Sequence, residues 1–246
     1  MVLTPELVGI AMAVVLGAYF VFGLTGFGST VIALPLLAQF APLKFVVPLL
    51  LLLDLAAFLA VGARDRRGIR FDELGRVMPF ALVGIGLGLT LLIQVAESRL
   101  LAALGVFVLL YALWGLTRRG PVAEIPRWTC VPIGLGGGAL SALFGTGGVL
   151  FAIYNAGRIR DKAELRASNA AMIAFSGIVR IVLFAATGLL AQEGLWWFAL
   201  LLLPALFAGI ALGSRLHAAV PAQAVVRAVH GVLVLAGIAL LVRALG

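Results

Sequence analysis

A chain of 246 residues that is 63% hydrophobic and 11% charged, with a mean hydropathy of +1.20, has too little polar surface to coat a soluble globule. The formal charge of +8 does not point to nucleic acid, because the Lys and Arg residues fall in short clusters between apolar runs without interleaved aromatics. Cys130 is the single cysteine, so neither a disulfide framework nor a Cys-based metal site is expected, and no cofactor is.

Taken in order, the first uncharged run extends from Leu7 to Leu43. As one straight helix it would be about 55 Å long against a hydrocarbon core of about 30 Å, so it must fold back. The bend is expected at Thr25-Gly26-Phe27-Gly28-Ser29-Thr30, closed by Pro35. The start, Met1 to Glu6, lacks the positive region of a signal peptide, so the first apolar run is expected to stay in the mature protein. Phe45 to Ala63, Val77 to Ala96 and Leu100 to Thr117 each match one crossing. The order then recurs: Trp128 to Gly157, broken at Gly145-Thr146-Gly147-Gly148, is followed by Ser168 to Gly188, Leu195 to Ser214 and Ala228 to Val242.

The halves also match in residues. Gly84-Ile-Gly-Leu-Gly88 returns as Gly209-Ile-Ala-Leu-Gly213, and Gly105-Val-Phe-Val-Leu109 as Gly231-Val-Leu-Val-Leu235. Glycines so spaced let helices approach closely. The reading is an all-α, polytopic transmembrane bundle of two repeats, 1–123 and 124–246, each a glycine-broken hairpin plus three transmembrane helices.

Basic loops tend to stay cytoplasmic. The clusters Arg118, Arg119, Arg127 and Arg158, Arg160, Lys162, Arg166 flank the second broken run, so a hairpin puts both on the inner face, where a single crossing would not. The Arg64 to Arg76 cluster joins them, while Glu6 and Lys44 leave the first hairpin opening outward; the repeats come out inverted. Trp114, Trp128, Trp196 and Trp197 fall at segment ends, where amphipathic rings prefer the interface.

A helix that starts at mid-membrane presents N–H groups and a positive dipole end to an anion. Backbone freed from helical bonding at that depth is tolerated only where it faces protein, a cavity or a ligand. The candidate substrate-binding residues are therefore Thr25, Gly26, Phe27, Gly28 and Ser29 at the first break, Thr146, Gly147 and Gly148 at the second, and Asn155 beyond it. The bland reading is that Gly, Ser and Thr only permit close packing. Two charges lie deep in segments at an insertion cost of about 2.5 to 3.5 kcal/mol each: Asp54 is a candidate ion-coupling group, and Arg180 a planar counter-charge for an oxyanion, or the two pair with each other across a pseudo-twofold axis. Ser168-Asn169 reads as the cap of its segment, with Asn169 a further binding candidate. His230 and Gln94 read as interhelical hydrogen-bonders and His217 as a loop residue.

The paired Gly-rich breaks, Pro35, the Lys162-Ala-Glu-Leu-Arg-Ala-Ser168-Asn stretch, Gly188 and Gly209-Ile-Ala-Leu-Gly213 together resemble the sulfite exporter TauE/SafE family, also called the toluene-sulfonate uptake permease family, over essentially the whole chain. The resemblance implies a bacterial inner-membrane carrier of small sulfur-containing or organic anions such as sulfite, sulfoacetate, thiosulfate or sulfonates. The first break reads Thr-Gly-Phe-Gly-Ser where members often carry a run of glycines, and Tyr154 or Asn155 stands where a proline often follows the second. The expected function is a secondary transporter or exporter of such an oxyanion across the bacterial cell membrane, with proton linkage open. A passive anion channel is the alternative, and a membrane-embedded enzyme a more distant one, since neither HExxH nor G-x-S-x-G occurs. The expected partners are the anionic substrate and the lipid bilayer, with no nucleic acid; a homodimer is among the assemblies open to it.

Overall fold

The computed structural model describes residues 5–25, 28–61, 68–117, 124–216 and 222–245. The expectations placed on Gly26 and Phe27, on Arg64, Arg66, Arg67, Arg118 and Arg119, and on His217 lie outside them, as do those on the side chains of Thr25 and Arg227. Among the described residues the structure is helical: α1 (Pro5–Thr25), α2 (Ser29–Leu37), α3 (Leu43–Val61), α4 (Phe71–Gln94), α5 (Glu97–Thr117), a 3-10 turn (Arg127–Thr129), α6 (Cys130–Phe144), α7 (Gly148–Ala156), α8 (Lys162–Ala186), α9 (Leu195–Leu216) and α10 (Ala222–Leu245). Six of these, α1, α3, α4, α5, α8 and α9, are long and apolar enough to cross a membrane.

Both expected breaks are present. The first falls between α1 and α2, where Gly28 caps α2 in the left-handed conformation at φ 92°. The second follows Gly145 at φ 69°, where the Gly145 N–H bonds Ser141 O at 2.9 Å, the bond of an αL cap, and the Thr146 N–H bonds Leu140 O at 3.3 Å. The short helices α2 and α7 have nine residues each, so each rises about 13 Å, less than half the hydrocarbon core.

Several segments begin earlier than expected, by six residues at α4, α8 and α10. Helix α8 starts at Lys162 rather than Ser168, because Asp161 is the N-cap and its carboxylate accepts from the N–H groups of Ala163 and Glu164, both at 2.9 Å. Helix α4 starts at Phe71, its first turn carrying Asp72 and Glu73 near the positive end of the helix dipole.

The chain divides into two compact units. The first contains Met1–Ala57, Val95–Arg119 and Ala191–Gly246, the second Phe58–Gln94 and Gly120–Leu190. Within the first, α1 packs along α9 and α5 along α10; within the second, α4 packs along α6, and α7 lies against α6 and α8.

The glycine motifs make these contacts. A Cβ on Gly88 would lie 2.5 Å from Ala139 O, and one on Gly84 would run into Leu135 O, so α4 and α6 touch backbone to backbone. In the first unit a Cβ on Gly209 would lie 2.6 Å from Leu16 O, and one on Gly213 would run into Phe20 O, the same relation between α9 and α1. Pro79 and Pro204, inside α4 and α9, stand at the same distance before these motifs. In lipid, where apolar burial gives little association, such close approach is a main source of helix pairing. The second matched pair behaves differently: Gly105 faces α10 near the Gly237 carbonyl, whereas a Cβ on Gly231 would meet open space.

Candidate functional site

In the second unit, the segment holding α6 and α7 enters and leaves at one end. The Ile125 N–H bonds Gly157 O at 3.1 Å, Arg158 Nη1 bonds Ile125 O at 3.4 Å, and Arg160 pairs with Glu124 at 3.3 Å. The same end carries a buried carboxylate. Glu73, 2% exposed, accepts from Tyr154 Oη at 2.6 Å, from Arg158 Nη2 at 3.0 Å and from Arg76 Nη1 at 3.2 Å. Arg70 adds its N–H to Ser168 Oγ at 2.9 Å and its guanidinium to Glu164 at 3.4 Å, tying the start of α4 to the start of α8. The bonding carboxylates hold both guanidinium groups above the ordinary arginine value, that of Glu73 for Arg158 and that of Asp72 for Arg70, so both stay charged at any physiological pH.

Helix α8 turns one buried stripe inward, Ser168, Met172, Ser176, Arg180 and Phe184, at four-residue steps. Its contacts set the levels of the other elements. Asn155, at the end of α7, donates to Asn169 Oδ1 at 2.6 Å and to Met172 Sδ at 3.3 Å. Gly148, at the start of α7, lies against Ile173, and Ser176 shares a 2.5 Å hydroxyl hydrogen bond with Ser141 of α6. One turn beyond Ser141 is the Gly145 break, and one turn beyond Ser176 is Arg180. The Arg180 backbone is therefore near the level of the break; its side chain is 4% exposed, with the guanidinium carbon 5.4 Å from the ring centroid of Phe184, one turn further along α8. Thr146, at the break, is 2% exposed, and its Oγ1 has no hydrogen-bond partner among the described residues; the same is true of Asn155 Oδ1. Buried polar atoms of this kind are rare and call for a partner.

The predicted residues of this unit thus separate into two places. Thr146, Gly147 and Gly148 lie between the levels of Ile173 and Arg180, while Asn155 and Asn169 pair with each other about 16 Å along α8 from Arg180. Gly147 serves by close approach rather than by special backbone: its φ is −58°, and a Cβ there would run into Gly137 O and lie 2.7 Å from Ser141 Cβ.

In the first unit, Asp54 of α3 receives the hydroxyls of Tyr19 at 2.7 Å and Ser29 at 2.9 Å on Oδ1, and that of Thr30 on Oδ2. Ser29 and Thr30 are the first two residues of α2, immediately after the Gly28 cap. Further polar ties of this unit lie where α2 ends: Leu43 N–H to Glu97 at 3.0 Å, Gln192 to Lys44 O at 2.7 Å, and Arg243 to Ala38 O. His230 of α10 packs against Tyr111, ring centroids 5.5 Å apart and the rings tilted by 31°.

Tyr19, Glu73, Tyr154, Arg158 and the Ser141–Ser176 pair were not singled out as site residues, and Thr30 only as one of the hydroxyls at the first break. A lone tyrosine hydroxyl in an apolar run is the one signal that could have found Tyr19, and the charges of Glu73 and Arg158 were absorbed into the topology argument.

Helices of crossing length together with two nine-residue helices begun at glycine breaks define a multi-pass membrane protein built around broken hairpins. The chain belongs to the sulfite exporter TauE/SafE family, whose description matches residues 10–240, and it is a multi-pass transporter of the inner membrane. It is similar to the "Probable inner membrane transporter protein TsaS" of Comamonas testosteroni, at 28% identity over 194 residues, covering 78% of this chain and 81% of that one. No solved structure matches the chain.

Proposed function

We propose that this transporter is a secondary carrier of a small sulfur-containing or organic oxyanion, of the sulfite, sulfoacetate or sulfonate kind, and that the anion is held at the start of α7. The carrying observation is the buried hydroxyl of Thr146, unpartnered among the described residues, at a break that lies one turn beyond the Ser141–Ser176 contact, as Arg180 does on α8. A helix N-terminus, a hydroxyl donor and a planar cation together fit a tetrahedral or planar oxyanion. The close approach at Gly147 sets the start of α7 directly against the backbone of α6. Asn155 and Asn169 lie on the way from this position to the Glu73 end and serve the anion's passage there. Two inverted repeats, with α9 on α1 answering α4 on α6, supply the alternating access. Asp54 is the group through which a proton is coupled, and no catalysis is assigned to the chain.

The test is flux in proteoliposomes across a panel of sulfite, thiosulfate, sulfoacetate and an aromatic sulfonate, with and without a pH gradient. We expect saturable uptake, accelerated by the same anion on the far side, and lost with Arg180→Gln. Arg180→Lys keeps the charge and loses the fork, so KM should rise with the protein still inserted. Unsaturable flux without counterflow would make the protein a channel; consumption of an anion without movement would make it an enzyme.

A further inference from the structure

The two breaks differ in what stands in front of the short helix. The residue as far beyond Gly147 as Asp54 lies beyond Gly28 is Ile173, and the structure places the two alike: Ser29, first residue of α2, bonds Asp54, and Gly148, first residue of α7, packs on Ile173 at 3.1 Å from its ideal Cβ. Where the first hairpin carries a carboxylate and two hydroxyls, the second carries an apolar side chain, a glycine and the unpartnered Thr146 hydroxyl.

A carboxylate at the start of α2, receiving the hydroxyls of its first two residues, sits where a free anion would sit on a helix N-terminus. Ser29 is 4% exposed, Thr30 6% and Tyr19 0%, so the three donors are buried against the partly exposed Asp54 and their hydroxyl protons are already spent on it.

We propose that the two hairpins divide the work: the first binds the coupling proton on Asp54, which occupies its helix start as a tethered anion, and the second alone binds the transported anion. This rests on the carrier reading above and makes Ser29 and Thr30 positioning residues for the proton site rather than contacts to substrate. When a proton from one side adds to the Asp54 carboxylate, the neutral acid no longer takes all three hydroxyls as acceptor; it must donate one bond itself, and Tyr19, Ser29 and Thr30 turn to suit. Release of that proton to the other side restores the arrangement. The titratable group facing Asp54 is Tyr19 of α1; α2 brings none. Glu97, Lys44 and Arg243 belong to the end of the unit where α2 finishes, Glu6 to the first turn of α1 and Arg215 to the last turn of α9, and His230 packs against Tyr111.

The experiment has two readouts. In proteoliposomes, Ser29→Ala with Thr30→Val should move the pH profile of flux by half a unit or more while KM for the anion changes less than twofold. Thr146→Val should do the reverse, raising KM at least fivefold with the profile in place, and Asp54→Asn should flatten the profile. In detergent without any anion, potentiometric titration of Asp54→Asn should show one proton fewer taken up than the parent, and Tyr19→Phe, which keeps the fold's volume, should shift that uptake. A rise in KM from Ser29→Ala with Thr30→Val equal to that from Thr146→Val, with the profile unmoved, would overturn the division. So would unchanged proton uptake in Asp54→Asn. Absence of flux in the parent with the one-proton difference intact would instead count against the carrier reading and leave the proton site standing.

Discussion

Tyr154 donates its phenol to Glu73 Oε2 at 2.6 Å, joining the end of the second short helix to the first turn of α4. The bond is one arm of a knot in which Arg158 and Arg76 take the other oxygen, Oε1, of the same buried carboxylate. The apolar cluster of Val77, Met78, Ala81, Phe151 and Met172 packs around the same Tyr154 side chain, so charge and packing hold the hairpin at one place.

Removing one member of that knot leaves an uncompensated charge. Glu73→Ala should destabilise the protein by about 3 kcal/mol, since it strands Arg158. Glu73→Gln, which keeps a partner for Tyr154, should cost less. Adding Arg158→Ala to Glu73→Ala should recover part of the loss. Thermal unfolding of the detergent-solubilised protein measures all three, and a double variant no better than Glu73→Ala would show that the ion pair carries no stability.

The meeting of Ile125 with Gly157 and of Glu124 with Arg160 makes a topological prediction. Single cysteines at Glu124 and Arg160, both strongly exposed, introduced into a Cys130→Ser background, should react with an impermeant thiol reagent from the same side of the membrane. The basic residues around them assign that side to the cytoplasm. Labelling from opposite sides would mean that α6 and α7 do not form a closed hairpin.

Helix α4 offers a paired control for backbone contact. Gly86→Ala meets nothing within 4 Å and should leave the melting temperature within a few degrees of the parent. Gly88→Ala, two residues on, places its methyl 2.5 Å from Ala139 O and should push α4 from α6, lowering the melting temperature clearly. Equal effects at both positions would remove the close-packing argument.

The glycines at the two breaks should fail for different reasons. At Gly28 the space is open and the cost is backbone strain, about 1 to 2 kcal/mol, so Gly28→Ala should fold and Gly28→Asn should be milder still. At Gly147 the backbone is ordinary and the space is filled, so Gly147→Ala should be the more damaging, with no relief from Asn. Relative yield of monodisperse protein in detergent and its unfolding temperature decide between the two orders.

Much of the helical layout was legible in the residues. Glycine clusters inside uncharged runs too long for one crossing marked both breaks, and the Gly84 and Gly209 motifs marked two segments as packing faces without naming their partners. The start of α8 was missed because Lys162, Glu164 and Arg166 read as loop charge, whereas Asp161 caps a helix whose first turns carry them. Glu73 was missed for a related reason: a carboxylate among arginines looks like a solvated segment end until its burial is known. The pairing of Asp54 with Tyr19, Ser29 and Thr30 joins three helices and has no local signature, so spacing alone could not bring it together.

The backbone contacts at Gly84, Gly88, Gly209 and Gly213 also bear on how such a chain changes over time. Where two backbones touch, no side chain fits, so these positions cannot drift even to alanine without parting the helices. Lipid-facing positions such as Leu87 and Leu212, half or nearly half exposed, accept any apolar residue of similar size. Likeness between the two halves should therefore thin out everywhere except along the contact lines, and a search for the common ancestor of the halves has most to gain from weighting those few glycines above the leucines that outnumber them.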